Sequence, residues 1–470
     1  MTLESSRDPL IVDWEPNDPD RPLNWTRASK WRNISIVSLI TLLTPLASSM
    51  IAPAVIPLMH EFHSTNSIIA SFVVSIYIVG YAVGPLVLAP LSEMYGRLYL
   101  YHVNNVLFVI WTVACALAPN IPAMLIFRLM CGLAGSCSLT IGGGTITDVF
   151  VQQERGLAMS LFSMGPILGP IVGPVGGGFL AEAAGWRWIF WLLAIAAGVV
   201  TLIAFVFLRE TYEPAILEKR ARRLRKETGN MAIRSKQTNS KPKAEVFKQA
   251  LIRPTKMLFM SPIVAIMSIY VALIYSYLYF FFTTLSQVFE EQYHWGSDVV
   301  GLSFLGLGVG SIIGVCVFGA ISDKILKRLS AGGEMKPEYR LPPLLIGTIC
   351  IPTGFIWYGW TAEKRVHWIA PIIGTGFVGI GQIATFMPVV TYLIDSFPHQ
   401  AASVVAANTV LRSLGGAFIP LAGPSLFDAL GLGWGNSLLG FIALLMIPIT
   451  LLTYKYGEKI RTHPRFQVEF

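Results

Sequence analysis

Apolar stretches long enough to cross a membrane recur along almost the whole chain. An α-helix needs about 20 mostly apolar residues to cross ~30 Å of hydrocarbon, whereas a β-barrel would show short segments of alternating apolar and polar residues. The pattern predicts an all-α polytopic membrane protein with twelve spans, numbered here in chain order. The predicted spans are 33–58, 68–91, 99–118, 121–149, 156–181, 186–208, 258–289, 296–321, 342–361, 366–394, 402–427 and 434–456.

One long hydrophilic break separates the spans into two sets of six. The break contains "EKRARRLRKETGN", which predicts a charged helix along the inner membrane surface, followed by a flexible linker. Span 4 ends in "TITDVF" and span 10 in "YLIDSF", so the two halves look like an internal repeat. The predicted organisation is a tail 1–32, a first half 33–208, a loop 209–257, a second half 258–456 and a tail 457–470.

Charge sets the predicted orientation. Only 13% of the residues are charged, against roughly 25% in soluble chains, and most of the 35 Lys and Arg residues fall on one side of the predicted spans. Positive residues favour the cytoplasmic side, so both termini are predicted to be cytoplasmic, and we call that side inner. This asymmetry accounts for the net charge of +8 without a nucleic-acid partner.

The sequence contains no pattern typical of an enzyme. The seven histidines are scattered, the five cysteines form no C-x-x-C pair, and a Walker motif is absent. We therefore predict no metal site, no cofactor and no enzymatic activity, and the chain by itself is not an ATP-driven pump.

Several short motifs follow one another along the chain. "GPLVLAPLSEMYGR" runs from Gly84 to Arg97, "RLMCGLAG" begins at Arg128, and "GPILGPIVGP" begins at Gly165. With "DPDRPLNW" near the start and "RETYEP" after span 6, they resemble the major facilitator superfamily, in particular its fungal twelve-span drug:proton antiporters. The resemblance covers essentially the whole chain. It implies the major facilitator fold, with twelve transmembrane helices in two six-helix halves.

The loop after span 2 is predicted to form an inner gate. Gly96 permits a tight turn, and Asp148 at the inner end of span 4 is within plausible reach of Arg97. An ion pair there would latch the two halves together in one conformation and release them in the other. The family usually has Asp where this chain has Glu93. The gate residues implied by the resemblance are Gly84, Pro90, Ser92, Glu93, Gly96, Arg97, Asp148, Asp323 and Asp395.

Span 5 contains unusually many glycines and prolines for a helix. Its G-P pairs recur every four residues and line one helix face, where another backbone can approach closely, while each proline removes an internal hydrogen bond. The resemblance implies an antiporter hinge and names span 8, through "GLGVGSIIG", as the helix that fills this face. The hinge residues are Gly165, Pro166, Gly169, Pro170, Gly173 and Pro174.

Two arginines lie within predicted spans, Arg128 in span 4 and Arg412 in span 11. A charge at that depth costs at least ~2.5 kcal/mol unless it is paired or hydrated, so both are expected to face the central cavity. The resemblance implies that Arg128 tunes the protonation of a nearby acid. The acids of the spans cluster at their ends, however, and the proton carrier is not identified. Candidate pocket residues, all aromatic or weakly polar, are Tyr77, Tyr275, Tyr277, Gln382 and Asn408.

The predicted function is secondary active export of small organic compounds, such as drugs, fungicides or secondary metabolites. The resemblance implies proton antiport with alternating access, driven by the proton gradient. The alternatives are an uptake or facilitated-diffusion carrier for an organic acid or nutrient, and a transporter-like membrane sensor. Expected partners are the substrate, protons and the lipid bilayer, with the chain acting as a monomer. The plasma membrane is the expected location, with the vacuole or another endomembrane as the alternative.

Overall fold

The computed structural model describes residues 10–15, 17–151, 154–236, 243–330 and 336–463. Within these ranges, eleven helical segments are long and apolar enough to cross a membrane. The last of them, Ala401–Thr462, has 62 residues and contains two of the predicted spans.

The helix bounds follow the predicted spans closely. Spans 1 to 6 are Arg27–Ser49, Ser67–Tyr95, Arg97–Ala116, Ile121–Val149, Arg155–Ala184 and Arg187–Phe207. Spans 7 to 11 are Pro262–Tyr293, Leu305–Ser330, Leu344–Glu363, Ile369–Ser396 and Ala401–Phe418, and span 12 comprises the end of Gly423–Leu444 with Met446–Thr462. Outside the spans lie the helices Val55–Glu61, Glu213–Thr228, Lys243–Met260 and Ser297–Val300, and the strands Ile11–Val12 and Arg234–Ser235. Short 3-10 turns are Pro22–Asn24, Ala52–Ala54, Gly301–Phe304, Pro337–Arg340, Pro398–Gln400 and Ile419–Ala422.

The chain reverses direction near Gly431, which divides spans 11 and 12. This glycine has a φ of +73°, a conformation that interrupts the helix. Beyond it, Asn436 lies against Gly359 and Gly457 lies against Glu338. Increasing residue numbers in span 12 therefore face decreasing numbers in span 9, so the two run antiparallel. The long final segment is two spans, which makes twelve.

The two halves pack their helices in the same way. In the first half, span 1 packs on span 5, span 2 on span 4, and span 3 on spans 4 and 6. In the second half, span 7 packs on span 11, span 8 on span 10, and span 9 on spans 10 and 12. Each pair in one half has its counterpart six spans later, as a parallel repeat requires.

The halves meet near their outer ends. Ser75 in span 2 donates a hydrogen bond to the carbonyl of Ala417, in the last turn of span 11, at 2.7 Å. Ser48 and Tyr279 join spans 1 and 7 through a hydroxyl–hydroxyl bond of 2.7 Å. Span 5 also packs against the short helix that precedes span 8. These contacts hold the two halves together between the middle and the outer end of the spans.

The described part of the loop between the halves contains two helices rather than one. Glu213–Thr228, the loop helix, is the predicted charged helix. Lys243–Met260, the linker helix, covers the second part of the predicted flexible linker, so the prediction is wrong there, while residues 237–242 of that linker lie outside the described part of the structure. The linker helix is stabilised by tertiary contacts, because it packs against spans 2 and 11 and its Met257 is fully buried.

The N-terminal segment binds the loop helix through a contact that we call the tail clasp. Arg220 donates to both carboxylate oxygens of Asp18, at 2.5 and 3.0 Å, and also to Asp20 at 2.7 Å. Strand Ile11–Val12 pairs in parallel with Arg234–Ser235. The hydrogen bonds from Arg220 lower the pKa of Asp18, although its burial opposes the shift.

The tail clasp is expected to weaken in acid. Because the pKa of Asp18 is lowered in the folded chain, its contribution is present at neutral pH and is lost as the pH falls through the folded pKa. Asp18→Asn should speed hydrogen exchange of the two short strands about fivefold at neutral pH, as expected for an ion pair worth ~1 kcal/mol. The same variant should show little further increase on acidification. Equal exchange in both proteins would contradict the clasp.

Candidate functional site

Arg97 and Asp148 form an ion pair at the inner end of the first half. Nε of Arg97 lies 2.5 Å from Oδ2 of Asp148, and Nη2 lies 3.2 Å from Oδ1, so the contact is bidentate. Gly96 has a φ of +90° and forms the whole connection between spans 2 and 3. Gly144 leaves room for the guanidinium, since a Cβ there would lie 2.3 Å from Nη1 of Arg97.

This pair does not latch the two halves together, contrary to the prediction. Both residues belong to the first half, so the pair joins span 3 to span 4. A comparable pair forms in the second half, where Nε of Arg340 lies 3.1 Å from Oδ2 of Asp395. Each half therefore carries its own inner ion pair. A role of either pair in gating stays a prediction.

The remaining gate residues lie on or beside span 2. Gly84 packs against Ser136 of span 4, where a Cβ would lie 1.8 Å from the hydroxyl oxygen. Pro90 is buried within the helix, and the hydroxyl of Ser92 donates to a backbone carbonyl one turn earlier. Glu93 is exposed on the last turn. The side chain of Asp323 lies outside the described part of the structure.

Sequence reasoning missed the residues that hold the Arg97–Asp148 pair in place. The carboxylate of Glu210 accepts hydrogen bonds from the backbone N–H groups of Arg97 and Leu98, both at 3.0 Å, and so caps the start of span 3. Thr211 donates to Asp148 at 3.2 Å. The available signal was the acid in "RETYEP", placed directly after span 6 at the depth where span 3 begins.

The glycine face of span 5 holds span 1. A Cβ at Gly165 would lie 2.9 Å from the backbone of Thr41, and one at Gly169 would lie 2.8 Å from the backbone nitrogen of Leu46. Gly173 continues the contact along the same face, at the hydroxyl of Ser49. The prediction that this face is buried against protein is confirmed.

Span 8 does not fill the glycine face, so the predicted partner is wrong. Span 8 contacts the neighbouring face of span 5, where Gly308 lies against Ile171. At the outer end, Gly301 lies against the carbonyl of Pro174. Pro166 and Pro170 face a small cavity next to span 8. Glycines and prolines of span 5 thus face different neighbours, because successive helical residues point about 100° apart.

Arg128 caps the outer end of the span 1 helix. Nη1 donates to the carbonyl of Ala47 and Nη2 to that of Ser48, both at 2.9 Å. The helix ends at Ser49, so these carbonyls belong to the last turn, which lacks internal partners. Nε and Nη2 also donate to the carbonyls of Val73 and Val74 in span 2. A cation is favoured at the negative end of a helix dipole.

The environment of Arg128 contains no acid within ion-pair distance among the described residues. The side chain is 1% exposed, and its guanidinium lies 5.1 Å from the ring of Tyr77. Its donors are spent on backbone carbonyls, which supports a structural role in joining spans 1, 2 and 4. The predicted acid partner for proton coupling is not in place.

Arg412 has a different environment. Its guanidinium lies 4.8 Å from the ring of Tyr275 and 5.2 Å from that of Phe386. Its Nε is buried, and no hydrogen-bond partner for it occurs among the described residues. Arg412 therefore retains free donor capacity between spans 7, 10 and 11.

The five candidate pocket residues divide into two groups. Tyr77 and Tyr277 are fully buried, and their hydroxyls donate to the carbonyls of Thr44 and Leu439, so they pack within single halves. Their hydroxyls are therefore already paired within the fold, and a role of these two in the pocket stays a prediction. Tyr275, Gln382 and Asn408 share helix faces with Arg412 or its neighbours.

A cavity of about 50 Å³ adjoins Gln382 at the junction of the halves. Spans 5, 7, 8 and 10 line it, mainly with apolar side chains such as Phe282 and Leu307. Pockets for drug-sized ligands are about 300–1,000 Å³, so this cavity is too small to hold such a molecule in this conformation.

A family model described as the Major Facilitator Superfamily matches residues 37–420. The chain belongs to the major facilitator superfamily. It is similar to the MFS-type transporter penM of Penicillium rubens, with 54% identity over 99% of this chain and 92% of that protein. It is also similar to the efflux pump radE of Floropilus chiversii, with 49% identity over 99% of this chain and 87% of that protein.

Solved structures of the superfamily share the fold. The xylose transporter XylE of E. coli, in a partially occluded inward-open conformation, aligns with a TM-score of 0.68 at 17% identity, covering 91% of this chain and 98% of that one. A bacterial homologue of the lysosomal transporter Spinster aligns with a TM-score of 0.66 at 15% identity, covering 94% and 100%. The predicted family and fold are confirmed. This superfamily member is an integral membrane transporter of small molecules and not an enzyme.

Arg128→Met is expected to destabilise this transporter. The substitution removes four hydrogen bonds and leaves buried carbonyls unpaired, which should lower the free energy of unfolding by ~3 kcal/mol or more. Thermal unfolding of the purified protein in detergent measures the change. Arg128→Lys should recover only part of it, because an ammonium reaches fewer carbonyls. Unchanged unfolding with lost transport would instead assign Arg128 to the substrate or proton path.

Gly169→Leu is expected to abolish transport while leaving membrane insertion intact. The new side chain must push span 1 away from span 5, because even a Cβ would lie 2.8 Å from the backbone of Leu46. Gly198→Leu in span 6 is the matched control, since nothing lies within 4 Å of a Cβ there. Membrane levels and transport are compared in the two variants. Normal transport by Gly169→Leu would refute the close contact.

Proposed function

We propose that the chain is a secondary active transporter that exports small organic compounds, such as drugs, fungicides or secondary metabolites. The observation that carries the proposal is the division of contacts between the halves. They meet through hydroxyl and backbone bonds near the outer side, whereas each half has a separate ion pair at its inner side. This arrangement suits rocking of two rigid halves about a central site.

The direction of transport is inferred from two lines of support. A relative with 49% identity over nearly the whole chain is named an efflux pump. The glycine–proline pattern of span 5 resembles that of antiporters, and here it binds spans 1 and 5 into one rigid unit. A rigid unit of that kind can move as a body, which alternating access requires.

Proton antiport is the proposed source of energy, with the proton gradient taking the place of a cofactor. Its support is the resemblance to the drug:proton antiporters. The twelve spans contain no acid near the middle of the membrane, which favours facilitated diffusion as the second candidate. A carrier of that kind would move an organic acid or nutrient down its gradient.

The proposed location is the plasma membrane, where an exporter lowers the internal concentration of its substrate directly. The vacuolar membrane would serve the same purpose by sequestration. We propose that one chain suffices for transport, because its two halves together enclose the central site.

Compound accumulation in a yeast strain that lacks its own drug pumps tests the proposal. Expression should lower the accumulation of at least some compounds in a broad panel several-fold, and a protonophore should restore it. The inactive control is Gly169→Leu at equal membrane level. Unchanged accumulation of every compound in the panel would contradict the export proposal. Export that survives collapse of the proton gradient would remove antiport alone and favour facilitated diffusion.

A further inference from the structure

The two arginines inside the membrane are used in opposite ways. Arg128 places its Nε, Nη1 and Nη2 atoms on four backbone carbonyls. Arg412 makes no hydrogen bond or ion pair among the described residues, and its Nε is buried without a partner. Arg412 as a whole is half-buried, and a guanidinium remains protonated in proteins. No described residue of the chain therefore supplies a counter-charge to Arg412.

The surroundings of Arg412 hold further polar atoms without partners. Asn408, one helical turn earlier on the same face of span 11, is 2% exposed and has a buried, unpaired Oδ1. On span 10, Gln382 lies one turn from Phe386, whose ring contacts Arg412, and its Oε1 is also buried and unpaired. Both atoms are acceptors, so they are suited to a hydrogen-bond donor elsewhere on the compound, whereas the positive charge of Arg412 is suited to an anionic group.

The first half contributes hydroxyl groups to the same region. Tyr81 is 4% exposed, its hydroxyl lies beside those of Thr44 and Tyr77, and it is within electrostatic reach of both Arg412 and Tyr275. The hydroxyl of Thr44, which is 2% exposed, is the neighbour of the Tyr81 hydroxyl within the first half. Arg412 and these hydroxyls are hydrogen-bond donors that approach from opposite halves, and the rings of Tyr275 and Phe386 lie beside them.

We propose that Arg412 binds the anionic group of the transported compound, and that the substrate is an aromatic or amphipathic organic anion. The group is a carboxylate, or an ionised enol or phenol of comparable size. The proposal rests on the proposed transport function and names its substrate class. A planar guanidinium pairs with a carboxylate through two parallel hydrogen bonds, and the hydroxyl of Tyr81 can donate a further one.

The same geometry disfavours a cationic substrate. The aromatic faces that would attract a cation already carry the Arg412 guanidinium, and a second positive charge there would be repelled. A neutral compound would leave Arg412 uncompensated when bound. Only an anion satisfies the charge and the free donors together.

Inside-out membrane vesicles that contain the full chain test the inference. The probes are three coumarins with one ring system, bearing a carboxylate, a methyl ester or a primary amine. Uptake of the carboxylate should exceed that of the other two, and Arg412→Gln should lower it at least about tenfold. Arg412→Lys should give an intermediate rate, because it keeps the charge but loses the planar fork. Arg222→Gln removes an exposed charge from the loop helix and should change nothing.

A second measurement separates binding from transport. The carboxylate coumarin should raise the thermal unfolding temperature of the purified chain, and Arg412→Gln should abolish this shift while its own unfolding remains cooperative. Preferred uptake of the ester or amine, or normal carboxylate uptake by Arg412→Gln, would overturn the anion site but leave export standing. Stabilisation that depends on Arg412 without uptake of any coumarin would support the anion site and count against export. If the carboxylate is neither bound nor transported, the anion site is overturned.

Discussion

Contacts on two sides hold the backbone of span 1 between Thr41 and Met50. The packing of the first half depends on these contacts. On one side the glycines of span 5 let the two backbones touch, and on the other Arg128 supplies donors to the last turn of the helix. Hydrocarbon offers no partner to an open carbonyl, so a helix that ends or bends within the membrane must be satisfied by protein. Pro45 leaves one more carbonyl of span 1 without its usual partner within the helix, because proline has no N–H to donate.

These contacts on span 1 explain how the first half can behave as one body. Spans 1 and 5 are joined by close packing, spans 1, 2 and 4 by Arg128, and spans 3 and 4 by the Arg97–Asp148 pair. At the inner surface, Glu210 and Thr211 extend this network into the loop, and the tail clasp attaches the N-terminal segment to the helix that follows. Direct contacts between the spans of the two halves are fewer, and at the inner side the linker helix packs against spans 2 and 11, which leaves the halves as the units that can move.

The two membrane arginines show how environment decides the role of a residue type. Arg128 lies beside a helix end, and its donors are consumed by the fold. Arg412 lies between aromatic rings with unpaired polar atoms around it, which leaves its charge for a ligand. The two lie in spans that are not counterparts in the repeat, span 4 and span 11, and one serves structure while the other serves the proposed anion site.

The sequence by itself determined the twelve spans, the division into two halves and the family, because these follow from the length of apolar stretches and the order of local motifs. It also identified Arg97 and Asp148 as partners, since both fall at inner helix ends. Only the tertiary structure decided that span 1 fills the glycine face of span 5, that Arg128 caps a helix, and that Glu210 caps another. Those contacts join residues far apart in the chain, and in each of them one of the two partners is the backbone. Every residue has a backbone carbonyl, so no sequence pattern marks the ones that a distant side chain will reach.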